Sequence, residues 1–202
     1  MQREFAPRVV HEDRFGAIKT IAGVDVAFPD RGRTTRAAAL LFSFPDLVLL
    51  DKTTFEEPTR LAYIPGLLSF REVPAIAAAL ERLPAPPDVV LCDGQGFAHP
   101  RRFGSACHLG VALDLPTIGV AKSVLVGDYS EPEKMRGSQT ALIDGDQVIG
   151  TALRTRTGVK PVFVSIGHRV SLASANNIVL KSCSRYRLPD PIRGADKIAG
   201  EK

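Results

Sequence analysis

The sequence predicts a mixed α/β fold in a single domain, and three observations support this prediction. Short apolar strands separated by tight turns come first, a helical pattern follows, and apolar strands then alternate with helices. The chain has 202 residues, 45% of them hydrophobic, which is enough to bury a substantial core. We therefore expect one mixed sheet with helices on both faces, formed by residues 1–202.

Three strands open the predicted sheet. Residues 20–28, 36–43 and 47–55 have the length and composition of strands. Pro and Gly residues lie in the segments between them, which is typical of tight turns. Strands joined by such short connections favour an antiparallel three-stranded meander.

Helices and strands alternate in the rest of the chain. Apolar residues at helical spacing predict a helix in the seventies and early eighties. The apolar run at 88–93 has the length and composition of a strand that is buried on both faces. The remaining predictions are a helix at 102–113, a strand at 116–122, a hairpin at 139–157 and a helix after Ser171.

The composition limits where the protein works and what it binds. No stretch approaches the roughly 20 apolar residues of a membrane span, and residues 1–19 have no apolar signal-peptide centre. We therefore expect a cytoplasmic protein without a membrane partner, with residues 1–19 as an N-terminal extension. The net charge of +4 favours polyanionic partners. Basic residues cluster after Lys181, which a solvated basic tail at 184–202 explains equally well.

The three cysteines are widely spaced and form no CxxC pair. They indicate neither a disulfide framework nor a cysteine zinc site, so we expect buried free thiols.

Two aspartates lie on or at the end of predicted strands. Strand alternation places Asp25 on the same face as Gly23 and Ala27, which leave room for an ion or a phosphate. The alternative is a structural aspartate bonded to an arginine or to backbone amides. Asp93 ends a buried strand before Gly94-Gln95-Gly96, and ligand sites of α/β sheets lie at the carboxyl ends of strands. Its alternative is an ordinary strand-to-loop aspartate.

Glu72 admits two interpretations. Ser69 and Glu72 have the spacing of a capping box, in which the glutamate bonds only to a backbone amide. Pro74 argues against this, because proline is disfavoured beyond the first turn of a helix. A helix that begins nearer Val73-Pro74 fits the proline better and leaves Glu72 free at the helix entrance.

The three carboxylates define a metal site only if they converge. Two like charges about 4 Å apart cost about 4 kcal/mol at an effective dielectric of 20, so such a cluster needs cations. Carboxylate oxygens suit Mg²⁺ or Mn²⁺. The sequence contains neither the full dinucleotide-binding fingerprint nor a phosphate-binding P-loop, which excludes these nucleotide-cofactor sites.

Several sequence blocks together resemble the endonuclease V family, inosine-directed nucleases of the ribonuclease H-like superfamily. The resemblance spans about Ile21 to Arg193 and implies a ribonuclease H-like mixed sheet. The blocks are, in order, IAGVDVAF, YIPGLLSFRE, DGQGFAHPRRFG, PTIGVAKS, GHR and RLPDPIR.

The resemblance also assigns roles to individual residues. It implies that the acidic metal ligands are Asp25, Glu72 and Asp93, and that the other active-site residues are Lys122 and His168. It implies that a wedge of Tyr63, Ile64 and Pro65 presses into the strand while the damaged base is turned out. Ala62 stands where the family's bacterial wedge usually has proline. The positions that match the family's base pocket are Gly66, Leu68, Gly94, Gly96, His99 and Gly104.

Some of these residues have simpler alternatives. Lys122 could be a solvated lysine at a strand end, and His168 a histidine at a helix entry. Arg101 and Arg102 suggest phosphate contacts at a helix start, with a basic surface turn as the alternative. His108, within an apolar helix, is expected to be a core histidine.

The function that the resemblance implies is a metal-dependent repair endonuclease, a monomer that uses Mg²⁺ or in its place Mn²⁺. It would recognise deoxyinosine in DNA and nick the same strand at the second phosphodiester bond 3′ to the lesion, leaving 3′-OH and 5′-phosphate ends. The alternatives are an inosine-RNA endoribonuclease and a non-catalytic inosine-binding module. Another nuclease of the superfamily is disfavoured because the YIPG and DGQG blocks are present.

Overall fold

A computed structural model describes residues 2–62, 64 and 66–201. The strands are β1 Thr20–Ala27, β2 Thr34–Ser43, β3 Leu49–Pro58, β4 Val89–Asp93, β5 Thr117–Ala121, β6 Asp128–Tyr129, β7 Gln139–Asp144, β8 Gln147–Leu153 and β9 Val162–His168. The helices are α1 Gln2–Phe5, α2 Pro29–Gly32, α3 Leu68–Leu80, α4 Ser105–Leu113, α5 Leu172–Lys181 and α6 Asp190–Gly200, and a 3₁₀ turn covers Ala6–Arg8.

All strands in the described part of the chain join one sheet, in the order β3-β2-β1-β4-β5-β9-β8-β7-β6. β1, β2 and β3 form the predicted antiparallel meander. β4 lies parallel to β1, and β5 lies parallel to β4. β9, β8, β7 and β6 continue the sheet in antiparallel pairs. The mixed α/β sheet is therefore confirmed, with its parallel part confined to β1, β4 and β5.

Helices cover both faces of the sheet, as the alternation of β1 requires. Val24 packs with Val73 of α3 and Leu109 of α4 on one face. Ile21, on the other face, belongs to the core that includes Ile192 of α6. The three cysteines are buried and free, which confirms their prediction. Among the described residues, no helix combines the length and apolar character that crossing a membrane requires.

The start of α3 differs from its prediction. The helix begins at Leu68 rather than near Val73-Pro74, so that Pro74 lies inside it. The buried side chains of Ser69, Val73, Ile76 and Leu80 form one continuous helical face. Burial of this face offsets the free-energy cost of a proline inside a helix. Pro74 itself is exposed, so water can hydrate the backbone carbonyl four residues earlier, which receives no hydrogen bond from the proline. Ser69 Oγ has no hydrogen-bond partner, so the capping box does not form.

The predicted basic tail is also different, because residues 190–200 form the packed helix α6. Its apolar side, which includes Ile192 and Ala195, is buried, while Arg193 and Lys197 are not. A Cβ added to Gly23 would lie 2.1 Å from the backbone carbon of Pro191. The room predicted beside Asp25 for an ion or phosphate is therefore filled at Gly23 by the backbone of α6.

Candidate active site

Asp25 and Asp93 meet at the carboxyl edge of two parallel strands. Val24 of β1 pairs with Cys92 of β4, so the two aspartates that follow them lie side by side. Both side chains are partly buried. The register of β1 and β4 therefore places these two predicted ligands together, at the edge where α/β sheets carry their sites.

Asp196 of α6 completes an acidic group that the sequence did not predict. One carboxylate oxygen from each of Asp25, Asp93 and Asp196 lies within 4.8 Å of the other two. The resemblance ended at Arg193, three residues before Asp196, and the surrounding basic residues suggested a solvated tail. The apolar spacing of Ile192, Ala195 and Ala199 was the signal that could have revealed an amphipathic helix here.

Glu72 lies beside this group rather than within it. Ser105 Oγ donates a hydrogen bond of 3.4 Å to Glu72 Oε2. Burial, followed by the charges of Asp25 and Asp93, raises the pKa of Glu72 to about 8. Glu72 is thus close enough for both aspartates to raise its pKa, while the carboxylates that lie within 4.8 Å of one another are those of Asp25, Asp93 and Asp196.

The electrostatics of Asp25 show how crowded the negative charge is. Burial, then the charges of Asp93 and Asp196, raises the pKa of Asp25 to about 7, although the backbone N–H of Val26 donates to Asp25 Oδ1 at 2.8 Å and lowers it. Three converging carboxylates of this kind are the donor set that a hard divalent cation prefers. The residues present therefore fit a metal ion.

Lys122 lies at this edge, as predicted. Its Nζ is 2.6 Å from Asp93 Oδ2 and 3.9 Å from Asp196 Oδ1. Burial lowers the pKa of Lys122, but its bond to Asp93 and the surrounding carboxylates outweigh burial and raise the pKa overall. Lys122 therefore carries a positive charge directly beside the acidic group.

A cavity of about 350 Å³ adjoins the acidic group and shares Asp93 and Lys122 with it. Most of the predicted pocket positions line this cavity, namely Gly66, Leu68, Gly94, His99 and Gly104. Burial, then the charge of Arg101, lowers the pKa of the His99 imidazole, which favours its neutral form.

Gly96 and the two arginines, Arg101 and Arg102, are not among the residues that line this cavity. Gly96 does not line the cavity, because a Cβ there would lie 2.1 Å from the carbonyl oxygen of Ile166; the glycine allows β9 to approach. Arg102 pairs with Asp144 at 2.7 Å and bonds Gln147. Arg101 bonds Gln2 Oε1 and the Gly66 carbonyl at the cavity wall. Both guanidinium groups thus have protein partners.

His168, a predicted active-site residue, is not brought together with the acidic group by the sheet. In the sheet register, His168 of β9 lies beside Thr117 of β5, whereas Asp93 of β4 lies beside Val120 of β5. Thr117 and Val120 are three residues, or about 10 Å, apart along β5. The buried imidazole accepts from Val10 N–H at 3.2 Å and donates through Nε2 to Asp114 at 3.3 Å. Its sequence position before α5 gave no information about which end of the sheet it occupies.

The wedge prediction can be compared with the structure at one residue. Tyr63 and Pro65 lie outside the described residues, while the Ile64 side chain is 52% exposed. His108, expected in the core, is half-buried between the rings of Phe70 and Phe103, with centroid distances of 4.9 and 5.5 Å.

An acidic group at the carboxyl edge of the parallel strands of this mixed sheet defines the class, a nuclease of ribonuclease H-like fold. The sequence model of the family described as Endonuclease V matches residues 3–197. The chain belongs to the endonuclease V family and is therefore a hydrolase that acts on phosphodiester bonds.

Relatives and solved structures agree with this membership. The chain is 50% identical over 202 residues to the endonuclease V of Rippkaea orientalis, covering 100% of this chain and 88% of the relative. The crystal structure of the Streptomyces avermitilis endonuclease V has a TM-score of 0.93 and 44% identity, covering 98% of this chain and 88% of that one. The Ciona intestinalis enzyme, in complex with a DNA that contains an inosine followed by a ribo-adenosine, has a TM-score of 0.85 and 28% identity, covering 98% and 92% of the two chains.

Proposed function

We propose that this nuclease recognises deoxyinosine in DNA and nicks the same strand at the second phosphodiester bond 3′ to the lesion. The carrying observation is that the three-carboxylate group and the cavity share Asp93. A base held in the cavity would thus lie next to the groups that act on its own strand. The complex of the Ciona relative with inosine-containing DNA supports this choice of substrate.

The cavity suits an everted purine. Its glycine-rich wall, with Gly66, Gly94 and Gly104, brings backbone N–H and C=O groups close to a flat base, and these supply both donors and acceptors. Turning a base out of a duplex costs a few kcal/mol, least where pairing is weak. Inosine pairs weakly with most partners, so lesion choice begins with this lower cost.

The chemistry at the acidic group follows from its charges. Asp25, Asp93 and Asp196 would hold the divalent cation, Mg²⁺ with Mn²⁺ as a substitute. When bound, such an ion supplies the Lewis acid of phosphodiester hydrolysis. Lys122 offsets negative charge on the phosphate, and the Glu72 carboxyl lies beside the same group.

The test of this function uses matched end-labelled strands that contain inosine or adenine, as DNA and as RNA. With Mg²⁺, we expect a nick in the inosine DNA one nucleotide beyond the lesion, with a 3′-OH end, and no nick in EDTA. Retention of the strand without cleavage would instead indicate a binding module. Cleavage of the inosine RNA alone would indicate an endoribonuclease.

Asp196 and His168 give opposite expectations. We expect Asp196→Asn to slow nicking about tenfold and to raise the Mg²⁺ concentration required, because one carboxylate leaves the acidic group.

We expect His168→Gln to lower the Tm, because it disturbs buried bonds to Val10 and Asp114, while the nicking rate well below the Tm stays within about threefold. Metal titrations of the nicking rate, with thermal unfolding, measure both. Loss of nicking in His168→Gln at an unchanged Tm would instead support the predicted active-site role of His168.

A further inference from the structure

Three side chains converge on the backbone carbonyl of Gly66. Gln2 Nε2 and Arg101 Nη1 each donate to this oxygen at 3.0 Å. The imidazole of His99 also bonds to the Gly66 backbone, and because its Nδ1 accepts from the Arg101 N–H at 3.1 Å, its Nε2 is the donor. We call Gln2, His99 and Arg101 the Gly66 clasp.

Gln2 connects the clasp to the N-terminal part of the chain. Its side chain is 6% exposed, and its Nε2 also bonds the Phe103 carbonyl at 3.2 Å. Its Oε1 accepts from Arg101 Nη1 at 2.8 Å. Burial of an amide is favourable only when its polar atoms are bonded, and here both are. Because its partners lie more than 60 residues away in sequence, the amide of Gln2 ties α1 to the region around the cavity.

Gly66 is the residue through which the hydrogen bonds of Gln2 could affect the substrate. It lies between the wedge position Ile64 and the start of α3 at Leu68, and its φ of +78° is one that glycine adopts without strain. A Cβ at this position would lie 3.1 Å from Arg101 Nη1. The conformation of Gly66 and its bond to the clasp are therefore coupled.

The clasp also stands between two cavities. Gln2, Gly66 and His99 line the cavity that adjoins Asp93. Gln2 and Arg101 line a second cavity of about 550 Å³, whose other described walls include Leu61, Ala62, Ile64 and Leu67 around the wedge. A shift of the clasp would therefore change the cavity that adjoins Asp93 and the surroundings of Ile64 together.

We propose that Gln2 is a positioning residue for lesion recognition, which acts through the Gly66 carbonyl. It holds Ile64, the wedge position that the structure describes, at a set position relative to the cavity that adjoins Asp93, so that eversion of the base and its capture occur together. This inference rests on the proposed function, because it assigns the wedge and the cavity to an inosine-bearing strand. It differs from a merely stabilising role, which would affect the Tm alone.

The experiment compares Gln2→Ala with the wild type and with Gln139→Ala, a matched change at a distant exposed glutamine. A DNA with 2-aminopurine next to the inosine reports unstacking by a rise in fluorescence when the metal-free protein binds. For Gln2→Ala we expect a smaller rise at saturating protein and about tenfold lower kcat/KM on inosine DNA, at an unchanged Mg²⁺ requirement. We expect Gln139→Ala to match the wild type.

Two further variants keep the test decisive. Gln2→Glu retains the acceptor for Arg101 but loses both donors, so it should also show the smaller fluorescence rise. Gly66→Ala should show the same loss through the other partner of the contact. A Gln2→Ala protein with a lowered Tm but a wild-type fluorescence rise and inosine preference would overturn the proposal. Failure of the wild type to nick inosine DNA would instead overturn the proposed function.

Discussion

Asp93→Ala is expected to lower the nicking rate on inosine DNA about 10³-fold or more, while binding of the same DNA without metal changes by less than about threefold. Asp93 belongs to the acidic group and also holds Lys122 at 2.6 Å, so its loss removes a proposed metal ligand and releases the lysine. The DNA surface should suffer little, because removal of one negative charge does not weaken attraction to phosphates. Single-turnover nicking with Mg²⁺ and gel-shift titration in EDTA measure the two quantities.

The control for this variant is Asp128→Ala, which removes an exposed aspartate of β6. It should leave nicking and binding unchanged. Turnover of Asp93→Ala within a few-fold of the wild type would contradict the assignment of the acidic group as the catalytic centre.

The second large effect concerns the stability of the metal-free protein. The pKa of Glu72 rises from 4.5 to about 8 on folding, through burial and then the charges of Asp25 and Asp93. The folded state therefore holds a proton more tightly than the unfolded chain does. The resulting stabilisation is complete below about pH 4.5 and is lost as the pH rises through about 8.

From this sign we expect the metal-free wild type to be less stable at pH 9 than at pH 6. Glu72→Gln removes the charge, so it should raise the free energy of unfolding at pH 9 by about 2–4 kcal/mol and flatten the pH dependence. Urea unfolding in EDTA at both pH values measures this change. Glu81→Gln, at an exposed glutamate after α3, should leave the slope unchanged. If the free energy of unfolding changed with pH equally in Glu72→Gln and in the wild type, folding would not raise the pKa of Glu72.

Most of the sheet around the site was predictable from sequence, because local patterns set it. The alternation of side chains in β1 placed Asp25 on the other face of the sheet from Val24, and the apolar run of β4 ended at Asp93. Tight turns predicted the meander, while the apolar run at 88–93 indicated a strand buried on both faces. The sequence left open whether these two carboxylates meet, because the parallel pairing of β1 with β4 is visible only in the structure.

The contributions of distant segments were not predictable in the same way. Asp196 reaches the site only because α6 packs across β1, a contact that no local pattern encodes. The place of His168 in the sheet could not be predicted, because its position before a helix does not determine the direction of β9. Gln2 was overlooked because a residue so near the start of the described chain has no periodic context. Each of these cases depends on tertiary packing.

The contact between Gly23 and Pro191 has a consequence for how this enzyme can change. Gly23 lies two residues before Asp25, and α6 rests on it so closely that any side chain there must lift the helix. The same movement would carry Asp196 away from its two partners on the strands. We therefore expect any side chain at Gly23 to weaken the packing of α6 and the acidic group together.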